Sequence, residues 1–176
     1  NWPSQSTRVS VVDINSFEFE KTITVSLNPN YIYSDSDGDV YVICMSDYSD
    51  DKSYIVQRID AKTDEVKTVE GIKAYKMTVA DDIAYIMFND YYANEVKYYK
   101  YDLKNEKLLS DNFITDGTVV SSPNGIGVDP VTGDIYVGKS NKKNNGDVYV
   151  FSSEGKLKSQ FETLPYPADF VFMTNK

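Results

Sequence analysis

Gly133-Asp134-Ile135-Tyr136-Val137 is the stretch on which the fold turns, because the chain carries it in three versions. Beside Tyr41 the sequence reads Gly38-Asp39-Val40-Tyr41-Val42-Ile43, and beside Tyr85 it reads Ile83-Ala84-Tyr85-Ile86-Met87. About twenty residues beyond each comes a second apolar run that ends in a polar turn: Ile55-Val56-Gln57-Arg58-Ile59-Asp60, Tyr98-Tyr99-Lys100-Tyr101-Asp102 and Val148-Tyr149-Val150-Phe151-Ser152. A fourth, partial copy, Val9-Ser10-Val11-Val12-Asp13, comes first along the chain and stands near the amino end without its partner, so the full repeats are the second, third and fourth. Self-similarity at a period of roughly forty to fifty residues is the mark of a repeat architecture, in which each unit buries its apolar faces against its neighbours.

Within each repeat, short β-rich runs alternate with turns of Asp, Asn, Gly and Ser, and helical periodicity is almost absent. Each full repeat resolves into four strands. They are expected at 31–34, 40–45, 54–60 and 65–69; at 75–79, 83–88, 95–102 and 107–110; and at 125–128, 135–138, 147–152 and 157–163. Four short antiparallel strands per period describe a propeller blade. The expected fold class is therefore all-β, a β-propeller of four-stranded antiparallel blades, with about three full blades and partial flanking ones. The blades divide the chain as 28–70, 71–121 and 122–164. Residues 1–27 supply a third and a fourth strand (8–13 and 19–25), and 165–176 supply only the first strand of a next blade, near 169–173. Because an open blade edge invites foreign pairing, the remainder of the propeller is expected from residues absent from this sequence or from another chain.

Composition sets the limits on function. With 41% hydrophobic and 14% aromatic residues, the 176-residue chain has the material for a sizeable core. Fifteen Tyr against one Trp suit half-buried strands, where the ring packs and the hydroxyl reaches water or backbone. A net charge of −9 gives no electrostatic footprint for nucleic acid. No apolar run is long enough for a membrane-spanning helix. The lone cysteine, Cys44, lies in an apolar strand and reads as a small buried hydrophobe. Histidine is absent, which removes Ser-His-Asp and Cys-His catalysis and the usual zinc sites. What remains open to hydrolysis is a carboxylate and Asn cluster holding a hard cation. Asp35-Ser36-Asp37-Gly38-Asp39 superficially offers one, but its glycine spacing departs from the EF-hand loop and no Glu closes it. The equivalent place in the last full repeat, 129–134, is a hairpin turn, and a turn is expected at both.

The fourth repeat, Ser122-Pro123-Asn124-Gly125-Ile126-Gly127-Val128-Asp129-Pro130 through Gly133-Asp134-Ile135-Tyr136-Val137, with Gly146-Asp147-Val148-Tyr149-Val150-Phe151 and Glu154-Gly155-Lys156, resembles the YncE-like and NHL-type propeller repeat. Asn28-Pro29 and Pro165-Tyr166-Pro167 mark the same Pro-bearing entry elsewhere, and Gly71-Ile72-Lys73 replaces it in the third repeat. The resemblance implies a bacterial surface-layer or lipoprotein type of protein, secreted or anchored at the cell surface, usually seven-bladed. Some relatives capture corrinoids beside an outer-membrane transporter.

Loop composition points to one face. Turns between first and second strands, and between third and fourth, are short and generic. The connections between second and third strands differ in every blade: 46–52, 89–94 and 139–145. Function in repeat folds sits on such variable loops. Tyr48, Tyr91 and Tyr92 offer planar stacking surfaces, and Asn89, Asn94 and Asn141 paired donors and acceptors, a combination suited to a sugar or a macrocyclic, corrinoid-like ligand. The expected protein is thus non-enzymatic and extracytoplasmic, needs no cofactor or metal, and binds a small molecule or an outer-membrane protein partner. A cation-dependent, lactonase-like hydrolase and a protein-interaction scaffold are the alternatives.

Overall fold

The computed structural model describes residues 6–45, 54–90 and 95–173. They form two compact units, 1–74 and 75–176. In the first unit, β1 (Arg8–Val12) and β2 (Phe19–Thr24) make an antiparallel hairpin. It is followed by a four-stranded sheet of β3 (Pro29–Ser34), β4 (Val40–Cys44), β5 (Ile55–Ile59) and β6 (Val66–Lys73), in consecutive order. In the second unit, β7 (Lys76–Ala80), β8 (Ile83–Asp90), β9 (Glu95–Asp102) and β10 (Lys107–Ser110) make one such sheet. Strands β11 (Pro123–Val128), β12 (Ile135–Asn141), β13 (Asn144–Phe151) and β14 (Leu157–Thr163) make the next. All three are antiparallel meanders, as the repeat predicts.

Register confirms that the repeats are copies. Tyr41 pairs with Tyr33 on the first strand and Arg58 on the third; Tyr85 pairs with Thr78 and Lys100; Tyr136 pairs with Gly127 and Val150. The residue before each tyrosine lies opposite the residue that follows this third-strand partner: Val40 with Ile59, Ala84 with Tyr101, Ile135 with Phe151. Tyr41 and Tyr85 are buried, whereas Tyr136 is only half-buried.

Each unit closes its own core. Val25 of the first unit packs with Val42, Cys44 and Ile59, flanked by Val9 and Ile23 of the hairpin. In the second, Tyr85, Met87 and Tyr98 of one sheet pack with Ile126, Val137, Tyr149 and Phe151 of the other, with Phe113, Ile114 and Val120 of the connection between them. Tyr98 holds that connection twice. Its hydroxyl donates to the Val120 carbonyl at 2.7 Å and its own carbonyl accepts from Phe113 N–H at 2.8 Å. Burial raises the Tyr98 phenol well above its ordinary pKa.

The turns repeat one device. An Asp at the end of a strand accepts backbone N–H groups two and three residues on: Asp13 from Asn15 and Ser16, Asp60 from Lys62 and Thr63, Asp129 from Val131 and Thr132. Asp102 takes Asn105 through both its amide and its backbone. Asp35, in the acidic 35–39 segment, takes the N–H groups of Asp37 and Asp39, two and four residues on, and the Asp39 carboxylate is engaged by Arg58 and by Ala61 N–H. The turn reading of 35–39 holds because Asp35 accepts bonds within the hairpin and Asp39 accepts them from β5 and the β5–β6 turn.

A second device marks the blade entries. Asn28, Ser122 and Tyr166, each just before a proline, adopt positive φ of 54°, 54° and 59°. This turns the Asn28 carbonyl to accept Met45 N–H at 3.0 Å and the Ser122 carbonyl to accept Ser140 N–H at 3.1 Å, tying each entry to the end of the second strand. The strain of a left-handed non-glycine residue, about 1–3 kcal/mol, therefore belongs to the repeat architecture.

Three expectations require correction. Gly71-Ile72-Lys73 is not the entry to a blade but the end of β6, where Gly71 at φ 76° lies within a register shift that brings Lys73 opposite Ile55. The 139–145 connection is not an extended loop. β12 and β13 run on to Asn141 and Asn144, leaving Lys142 and Lys143 as a tight hairpin turn, with Lys142 at φ 60°. Finally, 169–173 forms no strand, since a strand needs a ladder and none forms there among the described residues. That segment instead lies on the face of β11 and β12. Gly125 and Gly138 are cross-strand partners, and a Cβ on either would stand 2.5 Å from the Ala168 or the Pro167 carbonyl oxygen. Their missing side chains let the chain lie on bare backbone. Tyr136 meets Phe170 and Phe172 at 5.8 and 5.1 Å between ring centres. The buried Lys76 ammonium bonds the Ala168 carbonyl at 2.7 Å and the Asp169 carboxylate at 2.6 Å.

Candidate functional site

The β12–β13 hairpin forms one wall of an open cleft of about 580 Å³. Lys139, Ser140, Asn141 and Lys142 contribute from its outgoing side and Asn144 and Asn145 from its returning side. Ser121 and Ser122, at the entry to β11, form the neighbouring wall, and Glu162 of β14 also lines the cleft. The described residues that line it are all polar in type. The position of the core explains why such residues gather here: from Ile135 to Gly138 only Tyr136 of β12 is not fully buried, and once the strand passes the apolar core at Lys139 it carries polar side chains.

The walls are braced by groups that the fold itself uses. Ser140 N–H donates to the Ser122 carbonyl, joining the two walls directly. The Asn89 amide donates to the Pro123 carbonyl at 3.1 Å, fixing the β11 entry from the neighbouring sheet. Within the hairpin, the Asn141 amide donates to the Asn145 carbonyl at 2.8 Å and to Asp147 at 3.0 Å. Asp147 also accepts from Gln160 at 3.3 Å and has Lys139 at 3.9 Å; Glu162 accepts from the Asn145 amide at 2.9 Å. The acidic groups of the cleft are thus already provided with donors. The lysine nearest Asp147 stands at the outer limit of an ion pair.

Of the six residues singled out from loop composition, Asn141 lines this cleft and Asn89 braces it, each with its amide nitrogen committed to the fold. Tyr48, Tyr91, Tyr92 and Asn94 lie outside the described residues. Sequence reasoning missed Ser121, Ser122, Lys139, Lys142, Asn144 and Asn145. The density of lysine and asparagine in 139–145 was the available signal, but the serines join them only through the strand register. Among the described residues, no group of three or more acidic or thiol side chains is placed to hold a metal ion. No helix among them is long and apolar enough to cross a membrane.

No family model and no curated protein sequence matches the chain. Solved structures do. The chain is similar to the Dos1 propeller, with 12% identity and a TM-score of 0.65 over 93% of this chain and 44% of that one. It is also similar to Kuenenia stuttgartiensis hydrazine synthase (15% identity, TM-score 0.63, 84% of this chain and 45% of that one). TolB from Acinetobacter baumannii matches at 14% identity and TM-score 0.59, over 90% of this chain and 38% of its own. At these identities the likeness concerns fold. It defines the chain as β-propeller in architecture, built of four-stranded antiparallel blades, spanning less than half the length of each of these structures.

Proposed function

We propose that this propeller is a non-catalytic binding module of the YncE-like or NHL type, acting outside the cytoplasm and engaging a small polar ligand or a protein partner at the strand 2–strand 3 end of its blades. The observation that carries the reading is the braced polar cleft at the β12–β13 hairpin, formed where the repeat departs from its generic turns. The scaffold below it is uniform and the residues that differ between repeats are at this end, an arrangement that lets side chains vary without cost to the core. The absence of histidine from the chain supports a binding role over acid–base hydrolysis. The cellular location rests on the repeat resemblance.

The test is a thermal-shift screen of saccharides, organic acids and corrinoids against the wild-type protein and a Ser122→Ala/Asn144→Ala variant. The binding reading expects at least one compound class to raise the wild-type Tm and to lose that effect in the variant. A screen silent on the wild type, with no partner retained in crosslinking on intact cells, counts against it. Protease treatment of intact cells should degrade the protein; full protection would place it inside.

A further inference from the structure

Resting on that reading, we propose that the cleft between the β12–β13 hairpin and the β11 entry takes an acidic saccharide, with the carboxylate of a uronic acid residue at Lys139 and its ring hydroxyls on Ser121, Ser122 and Asn144. The first argument is charge. The protein carries −9 overall, yet Lys139, Lys142 and Lys143 fall within five positions, and among the described residues two of them line the cleft against a single carboxylate, Glu162. That carboxylate already accepts from Asn145, and Asp147 beside the cleft accepts from Asn141 and Gln160. Lys139 stands 3.9 Å from Asp147, is one-quarter exposed, and can reach a ligand anion by a small rotation of its stem. An arriving carboxylate therefore meets a cation whose internal pairing is weak.

The second argument is the kind of surface. A volume near 580 Å³ accommodates a few sugar rings, within the range of small-ligand clefts. Among the described residues, hydroxyl, amide and ammonium groups and one carboxylate line it and no aromatic ring does, so these residues offer hydrogen bonds and charge rather than a stacking surface. A polyhydroxylated anion matches both the hydrogen-bonding groups and the charge. The third argument is rigidity: Ser140 N–H on the Ser122 carbonyl and Asn89 on the Pro123 carbonyl hold the two walls at a set separation, so little ordering remains to be done on binding.

The experiment is titration of the isotopically labelled protein with trigalacturonate, with the uncharged galactose trisaccharide and with inorganic sulfate and phosphate, followed by amide shifts in 121–122 and 139–146. Trigalacturonate is expected to shift these amides saturably, to weaken with added salt, and to lose about tenfold in affinity in Lys139→Ala. Asn144→Ala, at the exposed first position of β13, should weaken binding with unchanged thermal stability, which keeps the test valid if Lys139→Ala perturbs the hairpin. Equal affinity for the uncharged trisaccharide, or for sulfate or phosphate alone, overturns the assignment, as does the absence of any shift with millimolar trigalacturonate. If another compound class shifts the same amides, the acidic-saccharide assignment falls while the binding role stands. If shifts are confined to residues outside the cleft, both fall.

Discussion

Replacing Gly138 by alanine tests whether the face of β12 was left bare to seat the 165–173 segment. The added Cβ would stand 2.5 Å from the Pro167 carbonyl oxygen and 3.0 Å from Pro167 Cβ and Cγ, against ordinary contacts of about 3.4–4 Å. Backbone atoms on one side and a proline ring on the other leave no flexible side chain to yield, so the segment must move by about 1 Å. Gly138 lies within a strand, where alanine would by itself add about 0.5–1 kcal/mol by restricting the unfolded chain. Overpacking of this kind costs about 1–3 kcal/mol. If the segment lifts away, the contacts of Phe170 and Phe172 with Tyr136, about 0.5–1.5 kcal/mol each, go with it. The clash therefore wins, and the expected net is a loss of about 1–3 kcal/mol with faster hydrogen exchange across 165–173. Gly133→Ala is the control. It sits at φ 71° with its nearest neighbour, Ser153 Cβ, at 3.7 Å, so it should cost about 1 kcal/mol from backbone strain alone and leave exchange in 165–173 unchanged. Urea unfolding with exchange mass spectrometry reads both quantities. A Gly138→Ala protein as stable as wild type, with the segment still protected, would refute the packing argument.

Three further outcomes follow from the geometry. Tyr98→Phe removes the donor to the buried Val120 carbonyl and should cost about 1–3 kcal/mol, with exchange rising in 113–122; a neutral urea midpoint would show that water substitutes for the hydroxyl. The Cys44 thiol, pushed up to about 11 by burial, should react with a thiol reagent at neutral pH only at the rate of protein opening, and prompt labelling of the native protein would contradict its place in the core. Asp13, Asp60 and Asp129 are held below 3.8 chiefly by turn N–H groups, Asp116 chiefly by the Leu157 N–H at the start of β14, and Asp102 chiefly by the Asn105 side chain. Their folded values lie below the unfolded one, so the stability they add is present above pH 3.8 and lost as pH falls through the folded values; a urea midpoint that stays flat on acidification below pH 3.8 would contradict this.

The blade pattern was legible in the order of residues because a strand's alternation and its turn chemistry are local. Tyr41, Tyr85 and Tyr136 could be aligned from their neighbours alone, and the turns at Asp13, Asp60, Asp102 and Asp129 follow from side chains that reach only two or three residues along the chain. Strand ends were less legible. Gly71 reads as a breaker, yet β6 continues through it as a bulge because the ladder to β5 resumes at Lys73. Likewise Lys139 to Asn145 reads as a polar loop, yet cross-strand pairing from Lys139 with Asp147 to Asn141 with Asn144 carries the sheet to the hairpin tip.

Tertiary structure alone decided the rest. Gly125, Gly138 and Gly146 look like turn or weak-strand residues in the sequence, and only the placement of Pro167 and Ala168 against them shows that a side chain there would collide with the 165–173 segment. The cleft is of the same kind. Ser121 and Ser122 are nearly twenty positions from Lys139 and Ser140, and the register of β11 against β12, sealed by Ser140 N–H on the Ser122 carbonyl, makes them neighbouring walls. Turn chemistry acts within a few residues and leaves its mark in the local sequence, whereas the distance between two walls is set by a ladder of hydrogen bonds whose register depends on packing along the whole blade.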